Sequence, residues 1–104
     1  MTTAPQEAPP AVAAVVKITA SGVVPPLLHL FQRGGVTFAN NDSRTHEVRA
    51  ANGNVDSRCA LVGVGVVAPS ERRQTVELPP GLNCAYVDGS DPANAAFRGV
   101  IVTH

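Results

Sequence analysis

The chain reads as an all-β domain, a Greek-key sandwich of seven to eight mainly short strands. Three observations predict this. Apolar and polar residues alternate at period two in several short runs, and turn residues punctuate them about every eight to twelve positions. Valine is abundant and accompanied by nine Gly and nine Pro, a composition of strands and turns. No segment carries a capped 3.6-residue apolar period, so no substantial helix is expected.

Each element has its own signal. Ala14 to Ala20 places Val16 and Ile18 on one face and Lys17 and Thr19 on the other. Pro25-Pro26 then forbids a central strand. Leu27 to Gln32 alternates Leu28 and Leu30 against His29, which predicts an outward, solvated histidine. Gly34-Gly35 turns the chain into a strand with Val36 and Phe38 inward. The polar corner Asn40-Asn41-Asp42-Ser43 delivers His46 to the next strand, His46 to Ala51, where Val48 faces in and Glu47 and Arg49 face out.

The second half is less regular. Asn52 to Arg58 reads as a loop with an Asn-Gly turn. Cys59 to Val67, interrupted by Gly63 and Gly65, fits a strand, a bulged strand or a packed loop. Arg72 to Leu78 alternates as a strand, Pro79-Pro80-Gly81 turns, and Leu82 to Val87 is the next strand. Asp88 to Ala95 is a polar loop, and Phe97 to Thr103 is the final strand. A short helical turn fits within 52–63 or 92–96.

Composition narrows the function. The 104 residues make one domain, 14–104, preceded by an Ala/Pro-rich segment, 1–13, expected to be a flexible linker. Eight basic residues balance eight acidic ones, and aromatics are scarce. Neither an electrostatic footprint nor a stacking set for nucleic acid is present. No apolar run approaches the roughly 18 residues of a membrane span. No Gly-x-Ser-x-Gly elbow exists, and Ser43, Thr45 and His46 do not form a strand-face triad. The chain is therefore expected not to be an enzyme.

Cys59 and Cys84 read either as a disulfide or as two buried thiols. A bridge would constrain the unfolded chain by roughly 3–4 kcal/mol and imply a periplasmic or secreted protein. The first residues lack the basic and apolar regions of a signal peptide. An exported form would have lost its leader before residue 1.

The run ITASGVVPPLLHLFQRGGVTFANNDSRTHEV resembles the first half of cupredoxins, the plastocyanin and azurin superfamily. VVAPSERRQTVEL and FRGVIV resemble that family's later turn, strand and closing segment, so the likeness spans roughly 14–103. The resemblance implies a cupredoxin-like sandwich with a copper site at one end. It places His46 at the first-ligand position. Cys59 and Cys84 also stand where a bacterial subgroup carries paired cysteines.

The other ligand positions depart from the pattern. Counting from Tyr86 puts Val87 at the thiolate place, or Val87 and Gly89 at the two places of a His-x-His subgroup. Counting back from Asp91-Pro92 puts Asp88 and Asp91 at the Cys and His places. Phe97 stands where the axial Met is expected. A blue-copper centre needs a thiolate and two imidazoles. His46 with Asp88 and Asp91 is the remaining candidate metal set, though these aspartates equally suit ordinary turns. His46 could also be structural, its ring bonding backbone across Asn40.

Two functions follow as expectations. The first is a non-catalytic, extracytoplasmic cupredoxin-like domain with a degenerate copper site, requiring no cofactor and acting as a binding or structural module, with another protein as partner. The alternative is a copper or other metal-binding or electron-transfer protein that uses His46 with a non-standard ligand set.

Overall fold

In the computed structural model the described residues are 14–104; the expected linker, 1–13, lies outside them. Nine strands form among the described residues: β1 Ala14–Thr19, β2 Gly22–Val24, β3 Leu27–Leu30, β4 Val36–Asn40, β5 His46–Ala50, β6 Gly65–Val67, β7 Arg72–Gln74, β8 Asn83–Asp88 and β9 Gly99–Thr103. They make two sheets, a four-stranded one in the order β2-β1-β4-β7 and a five-stranded one in the order β3-β9-β8-β5-β6. The all-β sandwich expected from alternation is the architecture observed.

Between the sheets lies one core. Val16 and Ile18 of β1, Val36 and Phe38 of β4, Val48 of β5, Cys84 and Tyr86 of β8 and Ile101 of β9 are buried together. Phe38 meets Tyr86 edge to face, with ring centroids 5.2 Å apart, a favoured quadrupole arrangement. The disulfide Cys59–Cys84 is formed across 25 residues, tying the Ser57–Val62 3-10 segment to β8. Asp56 caps that segment by accepting from the Arg58 backbone N–H.

The structure differs from the sequence reading in several places. The spacing suggests antiparallel pairing throughout, yet β1 runs parallel to β4 and β3 parallel to β9. The chain crosses between sheets from β2 to β3, and that crossing makes parallel neighbours possible. β2, unforeseen, pairs with β1 at an edge just before Pro25, where the missing N–H costs no ladder bond. The expected strand 72–78 pairs only over Arg72–Gln74. At Thr75 the chain approaches Gly35 so closely that a Cβ there would lie 2.6 Å from the Thr75 carbonyl. The ladder gives way at that point to the Leu78 N–H bond to Gly34.

Cys59 to Val67 resolves into the 3-10 segment and β6. Phe97 belongs to a second 3-10 turn, Ala95–Phe97, rather than to the last strand. No helix among the described residues is long and apolar enough to cross a membrane.

Candidate functional site: a clamped imidazole at the sandwich end

The site begins with Asn40, the last residue of β4. Its buried side-chain amide donates to the carbonyls of Arg44 and Val67, both at 2.8 Å, and its Oδ1 accepts from the Asp42 N–H. Three satisfied bonds fix the corner 40–46 and set it against β6. Asparagine at a strand end is suited to this because its amide mimics a backbone turn. Asp42 is thereby turned inward, and its Oδ1 accepts from the Ser43 N–H.

His46 opens β5 with its ring inside, only 3% exposed. Its Nε2 lies 2.7 Å from Asp42 Oδ2 and its Nδ1 lies 2.5 Å from Asp88 Oδ2. Asp88 ends β8 and is itself fully engaged. Its Oδ1 accepts from the Glu47 N–H, the Ser90 N–H and the Ser90 hydroxyl. The Phe97 ring stacks on the imidazole with centroids 4.7 Å apart, and the Arg44 guanidinium lies 5.7 Å from the Phe97 centroid. Arg44 Nε also reaches Asp42 Oδ2 at 3.3 Å.

Both carboxyls are held below their ordinary range. For Asp42 the hydrogen bond from His46 does this against an opposing effect of burial, with help from the Ser43 N–H and Arg44. For Asp88 burial pushes upward, but bonds from Ser90, His46 and the Glu47 N–H outweigh it. Two carboxylates therefore face the two ring nitrogens, and the Arg44 guanidinium beside Asp42 supplies a counter-charge at the edge of the cluster.

Sequence reasoning placed the candidate residues unevenly. His46 and Asp88 are brought together, and Asp88, not its outward neighbour Val87, faces the histidine. Asp91 is exposed and accepts from Asn94 instead. The expectation that the His46 ring bonds backbone across Asn40 is replaced by carboxylates on both nitrogens; Asn40 makes the backbone bonds itself. Asp42 and Arg44 were missed as site members. Asp42 and His46 stand four residues apart across a polar corner, and that spacing was the available signal.

Similarity to solved structures accords with this architecture. A Cu(I) form of an amicyanin mutant superposes with a TM-score of 0.67 at 21% identity, over 88% of this chain and 82% of that one. A purple cupredoxin from Nitrosopumilus maritimus gives 0.69 at 21% identity, over 88% of this chain and 99% of that one. The fold is cupredoxin-like. An oxidised amicyanin mutant agrees, with a TM-score of 0.68 at 20% identity. No protein-family model and no curated protein matches the chain.

One of these neighbours is a Cu(I) form, and the donor set of this chain can be tested against copper. Both cysteines are joined in the disulfide and leave no thiolate. Both nitrogens of His46 are already engaged by carboxylates, which stand on opposite edges of its ring and diverge from any common point. No group of three or more His, Cys, Asp or Glu side chains among the described residues converges to hold a metal ion. The residues around His46 do not fit a blue-copper centre.

Proposed function

We propose that this is a non-catalytic, extracytoplasmic cupredoxin-like domain in which the Asp42–His46–Asp88 clamp occupies the place of the copper site. The observation that carries the reading is the engagement of both imidazole nitrogens by buried carboxylates. The clamp joins the corner 40–46 to the end of β8, the two segments that a metal would otherwise cross-link. Behind it the cavity lined by Ile18, Val23, His46, Tyr86 and Phe97 is about 10 Å³, no larger than one water requires. A small-molecule substrate has no room against the imidazole. The Cys59–Cys84 disulfide supports a periplasmic or secreted location.

The competing reading is a copper-binding or electron-transfer protein using His46 with Asp88 and Asp91. It draws on the likeness to amicyanin and the purple cupredoxin. It requires the His46 ring to break a buried bond and Asp91 to leave its turn, a costly rearrangement in a desolvated site.

Adding Cu(II) to the protein, and to its His46→Gln variant, decides between them. The expected result is no intense visible absorption, with any copper-dependent spectral change persisting in His46→Gln. A strong absorption band that disappears in His46→Gln would establish the competing reading instead.

A further inference from the structure

The other two histidines meet at the opposite end of the sandwich. β3 and β9 run parallel, pairing Leu27 with Val100 and Leu30 with Thr103, so both strands finish at the end remote from Asp88. There His29 Nδ1 lies 2.8 Å from His104 Nε2, although the residues are 75 positions apart. Both side chains are exposed. Phe31, itself 71% exposed, stacks on His104 with centroids 4.4 Å apart and on His29 at 5.8 Å. The His104 backbone N–H bonds the Leu30 carbonyl, which anchors the second histidine to the first one's strand.

We infer that His29 and His104 form a surface site for a borderline divalent transition-metal ion, Cu(II) above Ni(II) or Zn(II). Ring nitrogens this close share a single hydrogen, one donating and one accepting. A cation replaces that hydrogen and uses both lone pairs. Metal–nitrogen bonds of about 2.0 Å put cis ligands of a tetragonal ion about 2.8 Å apart, the separation observed here. Because both rings are exposed, each can turn toward a common point, and water completes the coordination. Phe31 restrains the rings in neighbouring orientations, reducing the ordering that binding requires. The preference for Cu(II) follows the general order of divalent affinities at nitrogen sites.

This inference concerns a different end of the molecule from the His46 clamp, and one titration separates the two. Cu(II), Ni(II) and Zn(II) chlorides are titrated calorimetrically into the full chain and into His29→Ala, His104→Ala and His46→Gln, with electron spin resonance of the Cu(II) samples. The expected result is one Cu(II) bound with nitrogen hyperfine structure, weaker Ni(II) and Zn(II), and at least a tenfold loss of Cu(II) affinity in His29→Ala and in His104→Ala. His46→Gln is expected to bind as the unsubstituted chain does. Absence of Cu(II) binding, or binding indifferent to both His29→Ala and His104→Ala, would overturn the site. Binding lost only in His46→Gln would overturn both this site and the reading of His46 as closed to metal.

Discussion

Asp88 Oδ2 stands 2.5 Å from His46 Nδ1 while Asp88 Oδ1 collects three further donors from Glu47 and Ser90. One carboxylate thus terminates β8, starts the following turn and holds the imidazole. Asp88→Asn keeps the shape but removes the charge and presents an N–H where acceptors are needed. The expected cost is about 2–4 kcal/mol of unfolding free energy. Urea unfolding followed by circular dichroism measures it, with Asp91→Asn, whose exposed side chain meets Asn94 instead, changing stability by less than about 0.5 kcal/mol.

The other carboxylate of the clamp can be removed as well. Asp42 Oδ2 lies 2.7 Å from His46 Nε2 and 3.3 Å from Arg44 Nε, and its Oδ1 accepts from the Ser43 N–H. Asp42→Asn is expected to cost about 1–3 kcal/mol in urea unfolding, and an unchanged midpoint would contradict the clamp.

Acid destabilisation follows from the carboxyls. Asp42 and Asp88 lie below their ordinary range in the folded protein, as does Asp56, which the Arg58 guanidinium holds at about 2. Between the unfolded and folded values the unfolded chain binds more protons, so stability rises with pH there. Their contribution is complete above the unfolded carboxylate range near 4 and is lost as pH falls through the lower folded values. Urea midpoints measured from about pH 6 to pH 2 are expected to fall most steeply below about pH 4. The double variant Asp42→Asn/Asp88→Asn, weaker at neutral pH, is expected to show a shallower acid slope.

Much of the fold was legible because burial on one face of a strand imposes period two. Val16, Ile18, Phe38 and Val48 were placed inside by alternation alone, and they are. What stayed hidden depends on contacts distant in sequence. The parallel pairing of β1 with β4 follows from where the chain changes sheets, and no local pattern records that. Arg72 to Leu78 alternates like a strand, but its ladder to β4 runs only through Gln74; beyond it the Thr75 hydroxyl takes the Val36 N–H and the Leu78 N–H reaches Gly34. His46 was visible as a histidine after a polar corner. Of its partners Asp88 was a candidate beside it through the family resemblance, whereas Asp42 looks like an ordinary turn aspartate until the two corners are brought face to face. The His29–His104 contact was invisible for the same reason: alternation shows an outward histidine but not what stands beside it.

Cys59–Cys84 closes a loop of 25 residues between the 3-10 segment and β8. In the chain-entropy account such a link stabilises by about 3–4 kcal/mol. The variant Cys59→Ala/Cys84→Ala is expected to lose about that much in urea unfolding, and Asp88→Asn is expected to cost as much in that background as in the unsubstituted chain, because the bridge and the clamp share no side chain. A different cost would mean that the clamp depends on the bridge through β8.

Tyr86 gives the last test, through Gly99. The Tyr86 hydroxyl is buried and makes no hydrogen bond among the described residues, and burial raises its pKa. Its ring end lies against Gly99, the residue paired with it across β8 and β9. A Cβ at position 99 would collide with the phenol oxygen and the adjoining ring carbons. An unsatisfied buried hydroxyl is a liability, so Tyr86→Phe is expected to leave stability unchanged or raise it by about 1 kcal/mol. Gly99→Ala is expected to destabilise by about 1–3 kcal/mol, the ordinary cost of overpacking. Combining the two is expected to recover only part of the loss, since ring carbons as well as the hydroxyl meet the added methyl. Thermal and urea unfolding of the three variants check this, and a Tyr86→Phe loss above about 1 kcal/mol would show that the hydroxyl has a partner that stabilises the native state.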